Sequence, residues 1–220
     1  YLDMLGLSES NLPNIVPTAS AVGPILPGVA KRTGLPSDTV VATGAFDHPS
    51  AARSTGIFDE GDLLISAGTS WVAFAPVEDR SIGVDHGMLT DPFLSPDGCW
   101  GVMFALTAVA NRIDTLLEAL IGGNDARPEN PYGRFNALAA GSRPGAGGLL
   151  INPWEESVDE VVRVACDARL EDVMRALMEG CCFLMRHRIE RVAELTGREL
   201  GRIVMVGGPT KSPLWPQILA

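Results

Sequence analysis

The sequence predicts an α/β fold, and three observations carry that expectation. Short apolar runs rich in branched residues stand at Thr39–Phe46, Leu63–Ala67 and Arg202–Val206, the pattern of strands covered on both faces of a sheet. Across Leu170–Thr196, residues Val173, Leu177, Cys181, Leu184, Ile189, Val192 and Leu195 recur at helical spacing and form one apolar stripe. Each apolar run ends on a loop with chemistry in it: Asp47 after the first, Gly68-Thr69-Ser70 after the second, Gly207-Gly208 after the third. Open α/β sheets bind ligands beyond the carboxyl ends of their strands, where loops converge free of core packing. Those loops are the candidate site.

The elements follow in order. Leu2–Leu7 reads as the tail of a helix that began before the first residue. Residues 8–38 carry Pro13, Pro17, Pro24, Pro27 and Pro36, a loop-rich connector between domains. Its one short helix is expected over Pro27–Thr33, where proline is tolerated in the first turn. After the strand Thr39–Phe46, His48–Thr55 reads as a helix stopped by Gly56, with Asp47 at its N-cap. Leu63–Ala67 and Trp71–Ala75 form a hairpin around the Gly-Thr-Ser turn. Residues 77–98 are polar and broken by Pro92, Pro96 and Gly98, so no regular element is assigned there. Phe104, Val109, Ile113, Leu116, Leu117 and Leu120 mark a helix over residues 106–121 that Gly122-Gly123 ends. A Gly- and Pro-rich loop, a short helix near Arg134–Ala140 and a strand at Leu149–Asn152 come next. Gly197 caps the long helix, and a last helix starts from Lys211 and is barely begun at Ala220. With the truncated first helix, this suggests a fragment.

Composition bounds the function. The 220 residues are 46% hydrophobic, ample for a sizeable core. The net charge of -10 leaves no basic surface to neutralise nucleic acid or an anionic membrane. A small anion such as ATP stays within reach, because backbone amides, helix N-termini and Mg²⁺ hold phosphates without a basic patch. Cys99, Cys166 and the pair Cys181-Cys182 lack the CxxC spacing of a zinc or redox site and read as free thiols in a reducing compartment. No apolar stretch reaches the roughly 18 residues that span a bilayer. Tyr1–Glu9 lacks a basic start and carries Asp3, unlike a signal peptide. A cytoplasmic protein is expected.

Taken singly, each candidate has a plain structural reading. Asp47 would be a helix cap, Gly68-Thr69-Ser70 a hairpin turn, and Gly207-Gly208 a strand-to-helix turn. Together, at three strand tips, they read as a phosphotransferase's base, phosphate clamp and nucleotide shelf. A carboxylate accepts the proton of an attacking hydroxyl. Glycine and a hydroxyl beside it cradle phosphate oxygens. His48 is either a contact to a sugar hydroxyl or structural, and His86 and His187 lack partners at metal-ligand spacing. No GxxxxGK[ST] loop occurs.

The combination TVVATGAFDHPSAARSTGIFDEGDLLISAGTSWV, a long helix, then GRIVMVGGPTKSPLWPQILA resembles the FGGY family of carbohydrate kinases. IVPTASAVGPILPGVAKRTGLP resembles that family's linker, and residues 77–165 match least. The resemblance implies the actin-like ATPase, or ribonuclease H-like, fold, a mixed sheet flanked by helices. It implies residues 1–38 as the end of an N-terminal domain with its connector, and 39–220 as a nucleotide-binding C-terminal domain incomplete at its end. It implies transfer of the ATP γ-phosphate to a ketose, polyol or sugar acid with Mg²⁺. Asp47 would be the catalytic base and would bind substrate with His48. Gly68 and Thr69 would touch the phosphates, with Thr107, Asn111, Gly207, Gly208 and Ser212 around the nucleotide. Such kinases often pair as homodimers.

Two features depart from the family. Its members are about twice as long and begin with an acidic phosphate hairpin that is not among these residues. Where they carry a Gly-Glu-Arg theme, this chain has INPWEESVDEVVRVACD. Two rival readings therefore stand at the level of sequence, a non-catalytic nucleotide or sugar binder and another actin-like ATPase. Without the missing half of the phosphate site, the 220 residues are expected to be inactive by themselves.

Overall fold

Alternating side chains along Leu63–Ala67 set the two faces of a sheet on which most of the chain is built. The computed structural model describes residues 2–95, 98–122 and 130–220 and divides into two units, Tyr1–Ser50 and Ala51–Ala220. The breaks expected at Pro96 and Gly123, with most of the loop after Gly123, lie outside the described residues.

The first unit runs α1 (Leu2–Leu5), a 3-10 turn at Glu9–Asn11, β1 (Ala21–Pro24), α2 (Pro27–Thr33), β2 (Val40–Ala42) and the start of α3 (Asp47–Ser54). α2 has the bounds its proline predicts, and Gly34 closes it at φ 74 with its N–H on the Ala30 carbonyl. The strand expected at Thr39–Phe46 is shorter and differently placed. It covers Val40–Ala42, pairs antiparallel with β1 in a two-stranded ribbon, and leaves Val40 63% and Val41 43% exposed. Beyond it Thr43 holds the end of the ribbon: its hydroxyl donates to the Pro17 carbonyl and accepts from the Ser20 N–H, while its backbone bonds to Ala19 and Ser20. β1 gives no strand signal in the sequence because it lies in the proline-rich connector. Pro24 ends an edge strand, where a missing N–H leaves no ladder bond unmade.

The second unit continues with β3 (Leu63–Ala67), β4 (Trp71–Val77), α4 (Ser81–Val84), β5 (Leu89–Pro92), β6 (Trp100–Leu106), α5 (Val109–Ile121) and α6 (Pro131–Ala140). A 3-10 turn at Ala146–Gly148 leads to α7 (Val158–Asp167) and α8 (Leu170–Thr196). β7 (Ile203–Gly207), a 3-10 turn at Gly208–Lys211 and α9 (Leu214–Leu219) complete it. The strands lie in the order β5-β6-β4-β3-β7, antiparallel except for the parallel pair β3 and β7, which makes a mixed sheet. On one face Leu63, Ile65 and Ala67 pack into the large core with Leu116 of α5 and Leu177 of α8. On the other, Leu64 joins Phe74, Phe93, Met103 and Ile57. Period-two burial on both faces is what makes β3 read as an unbroken apolar run.

Four expectations change here. Trp100–Leu106 is a strand, so Phe104 belongs to the sheet and the following helix begins only at Val109. Seven consecutive apolar or small residues suit either state by periodicity, and pairing on both sides, to β4 and β5, decides for strand. Leu149–Asn152 forms no strand: the Ile151 carbonyl lies against α8 at Gly180, where a Cβ would overlap it. Residues 77–98 contain α4 and β5. α7 is an unexpected helix with a legible start, since Ser157 and Glu160 form a reciprocal capping box. Among the described residues no helix is long and apolar enough to cross a membrane.

Candidate functional site

Because β3 and β7 run parallel with Ala67 opposite Gly207, the Gly68–Ser70 and Gly207–Gly208 turns leave adjacent strand tips. Gly207 has φ 107, and a Cβ there would overlap the Ala67 carbonyl oxygen, so only glycine lets the two strands approach. Gly208 faces open space, with nothing within 4 Å of where a Cβ would stand.

The hairpin turn is closed by the Gly68 N–H on the Ser70 carbonyl at 3.1 Å. It also anchors α5. The Ala108 N–H donates to Ser70 Oγ at 3.1 Å, and the Ala110 N–H donates to the Thr69 carbonyl at 3.0 Å. Ala108, at φ 56, makes the sharp entry into the helix. The positive end of the α5 dipole therefore lies against the turn. Thr69 is exposed. Thr107 is exposed in the turn before α5, not within the helix as expected, and its carbonyl accepts from Trp154 Nε1 at 3.2 Å. Asn111 is exposed in the first turn of α5. Ser212 is buried, and its Oγ accepts from the Leu214 N–H at 3.3 Å at the start of α9.

Gly68, Ala110 and Gly208 line one cavity of ≈570 Å³, within the range of small-molecule sites. Its remaining walls include residues that sequence reasoning missed: Asn130, Tyr132, Asn136, Lys211 and Trp215. Trp71 and Trp215 meet edge to face at 5.3 Å. Asn130 caps α6 through the Gly133 N–H at 2.8 Å, and the Asn-Pro pair there was its one sequence signal. Burial, and after it the hydrogen bond and charge of Asp114, push the Tyr132 phenol well above its usual range. No carboxylate lines the cavity among the described residues.

Asp47 and His48 belong to the first unit. Asp47 is the first residue of α3 and not its N-cap; its Oδ1 accepts from the His48 N–H at 2.8 Å, and its side chain is 79% exposed. Its second carboxylate oxygen has no protein donor among the described residues. The Phe46 carbonyl takes the Ser50 N–H and hydroxyl, closing the first turn. The His48 ring sits 5.6 Å from Phe46, edge on.

The model of the C-terminal domain of the FGGY family of carbohydrate kinases matches residues 63–220. The xylulose kinase of Bacillus subtilis is 27% identical over 99% of this chain and 44% of its own length. The chain thus spans under half the length of such relatives. The crystal structure of a ligand-bound xylulose kinase from Lactobacillus acidophilus superposes with TM-score 0.80 at 19% identity, over all of this chain and 45% of that one. Plasmodium falciparum glycerol kinase, solved with ADP, gives TM-score 0.75 at 18% identity over 99% of this chain and 44% of its own. These likenesses carry the fold, that of the actin-like ATPases.

Proposed function

This chain belongs to the FGGY family of carbohydrate kinases, and we propose that it forms the nucleotide-binding part of an enzyme that moves the ATP γ-phosphate to a hydroxyl of a ketose, polyol or sugar acid. One observation carries the reading: the Gly68–Ser70 turn, the start of α5 and the Gly207–Gly208 turn converge on a single cavity that no carboxylate lines among the described residues. A nucleotide found in one structural neighbour, the glycerol kinase with ADP, supports it. Residues 1–38 are read as the end of a preceding domain and its connector, and 39–220 as the nucleotide domain.

In this reading the Gly68 and Thr69 turn, backed by the α5 dipole, takes the phosphates, and Gly207 and Gly208 let the adenosine lie on bare backbone. Thr107 and Asn111 flank the α5 start. Ser212 keeps the final turn in shape through Leu214. Asp47 binds the acceptor hydroxyl with His48 and takes its proton as the hydroxyl oxygen bonds to the γ-phosphorus. The bond from that phosphorus to the β,γ-bridging oxygen breaks, and ADP leaves with the electron pair. Among the described residues no group of three His, Cys, Asp or Glu could hold a metal. Mg²⁺, where it accompanies ATP, would neutralise the phosphates' charge and keep several waters in its shell.

The test is ADP release by the family-length enzyme with Mg²⁺ and ATP against a panel of ketoses, polyols and sugar acids. Sugar-dependent release is expected for at least one class. ADP release independent of every acceptor would favour an ATPase, and binding without release a non-catalytic relative.

A further inference from the structure

We infer that Asn136 reads the nucleobase as a fixed hydrogen-bond donor, its amide locked in one orientation by Trp215, so that the cavity takes a base through a ring-nitrogen acceptor. The inference rests on the nucleotide-site reading above and deepens it.

An indole nitrogen donates and never accepts. The atom of Asn136 that faces Trp215 Nε1 at 3.1 Å must therefore be Oδ1, and the amide NH₂ must point elsewhere. Rotating the amide would set two donors against each other, which fixes the orientation. The lock itself is rigid: Trp215 is 4% exposed and held between Trp71 at 5.3 Å and Phe135 at 5.9 Å, both edge to face. Asn136 and Trp215 both line the cavity. Asn130 is fixed in the same way, because its Oδ1 faces the Gly133 backbone N–H, another pure donor, at 2.8 Å.

Among the described residues, the polar side chains that line the cavity are therefore one-sided. Two asparagine amides have their oxygens engaged and, among the described residues, no protein acceptor on their NH₂ groups, and Lys211 adds only donors. Burial, and after it the neighbouring Asp114, keeps the Tyr132 phenol protonated. A ligand edge that meets these amide and ammonium groups has to accept. Adenine does so at N1, N3 and N7, and its π-face suits the tryptophan walls.

The experiment titrates the 220-residue chain with ATP and with 1-deaza-, 3-deaza- and 7-deaza-ATP, read by quenching of tryptophan fluorescence. Each analogue replaces one ring nitrogen by C–H. One of them is expected to bind about fivefold to tenfold more weakly than ATP, the loss of one hydrogen bond. In Asn136→Leu that penalty should vanish while ATP itself weakens, and Trp215→Phe, which frees the amide to rotate, should shrink it. Equal binding of ATP and all three analogues by the unaltered chain overturns the inference while leaving the nucleotide site standing. So does a penalty that survives in Asn136→Leu. Failure of the chain to bind ATP at all overturns the nucleotide site and the inference with it. The analogue series needs no variant, so it decides the matter even where a substitution folds poorly.

Discussion

Asp47 shows how much one carboxylate can be asked to do and how to ask it cleanly. Its Oδ1 already accepts the His48 N–H, and a side-chain amide can accept that bond equally well. Asp47→Asn should therefore leave the first turn of α3 intact and remove only the capacity to take a proton. In the family-length enzyme, sugar phosphorylation is expected to fall by about 10²–10⁴-fold, the usual worth of a general base, with ATP affinity unchanged. ADP release and nucleotide titration measure the two separately. Undiminished turnover would reject Asp47 as the base and leave it a helix-start residue. Its position was legible in the sequence to within one residue, because Asp after an apolar run announces a helix start. The sequence could not say that Phe46 closes the turn and leaves Asp47 exposed.

Elements that carry their own punctuation were the ones the sequence revealed. Pro27 and Gly34 bracket α2, and Gly197, at φ 64, ends α8. β3 was found by its apolar alternation between two covered faces, and the turns at Gly68 and Gly207 by their small residues. β6 was not, because only its two partner strands distinguish it from a helix. Asn136 and Trp215 were equally hidden: they reach the cavity by packing of α6 against α8 and α9, which no local pattern records. At Gly207 the sequence signal and the structural need coincide, and Gly207→Ala tests that. The new Cβ would press on the Ala67 carbonyl from a backbone at φ 107, so a destabilisation of about 2 kcal/mol or more is expected as a lower urea midpoint. A neutral result would mean that β3 and β7 part easily. α8 offers a second check through its thiols. Burial, then the neighbouring Cys182, raises Cys181, and burial, then Glu179, pushes Cys182 up to about 12. Iodoacetamide at pH 8 should label exposed Cys166 and spare both. Because unfolded thiols ionise near 9.0 and these far above it, both states are protonated at lower pH. Stability should then fall as pH rises through 9, and Cys181→Ala with Cys182→Ala should flatten that slope. Rapid labelling of either residue in the folded chain would contradict their burial.

At the scale of the whole molecule the deciding fact is length: the chain accounts for 44% of a xylulose kinase it matches along 99% of itself. Phosphoryl transfer asks little covalent chemistry of a protein and much positioning, since acceptor hydroxyl, γ-phosphate and base have to be held together in line. Holding reactants this way is worth about 7–11 kcal/mol of barrier. A nucleotide pocket needs far less, and the ≈570 Å³ cavity proposed for it is lined by residues of this chain. Binding and transfer should therefore separate by length. The 220-residue chain is expected to quench its tryptophans on ATP addition yet release no ADP above the blank with any ketose, polyol or sugar acid, while the family-length enzyme does both. Measured side by side at one ATP concentration, sugar-dependent ADP release by the 220 residues at the rate of the longer enzyme would show that the whole catalytic apparatus lies within them. It would also overturn the assignment of the remaining phosphate contacts to sequence outside this chain.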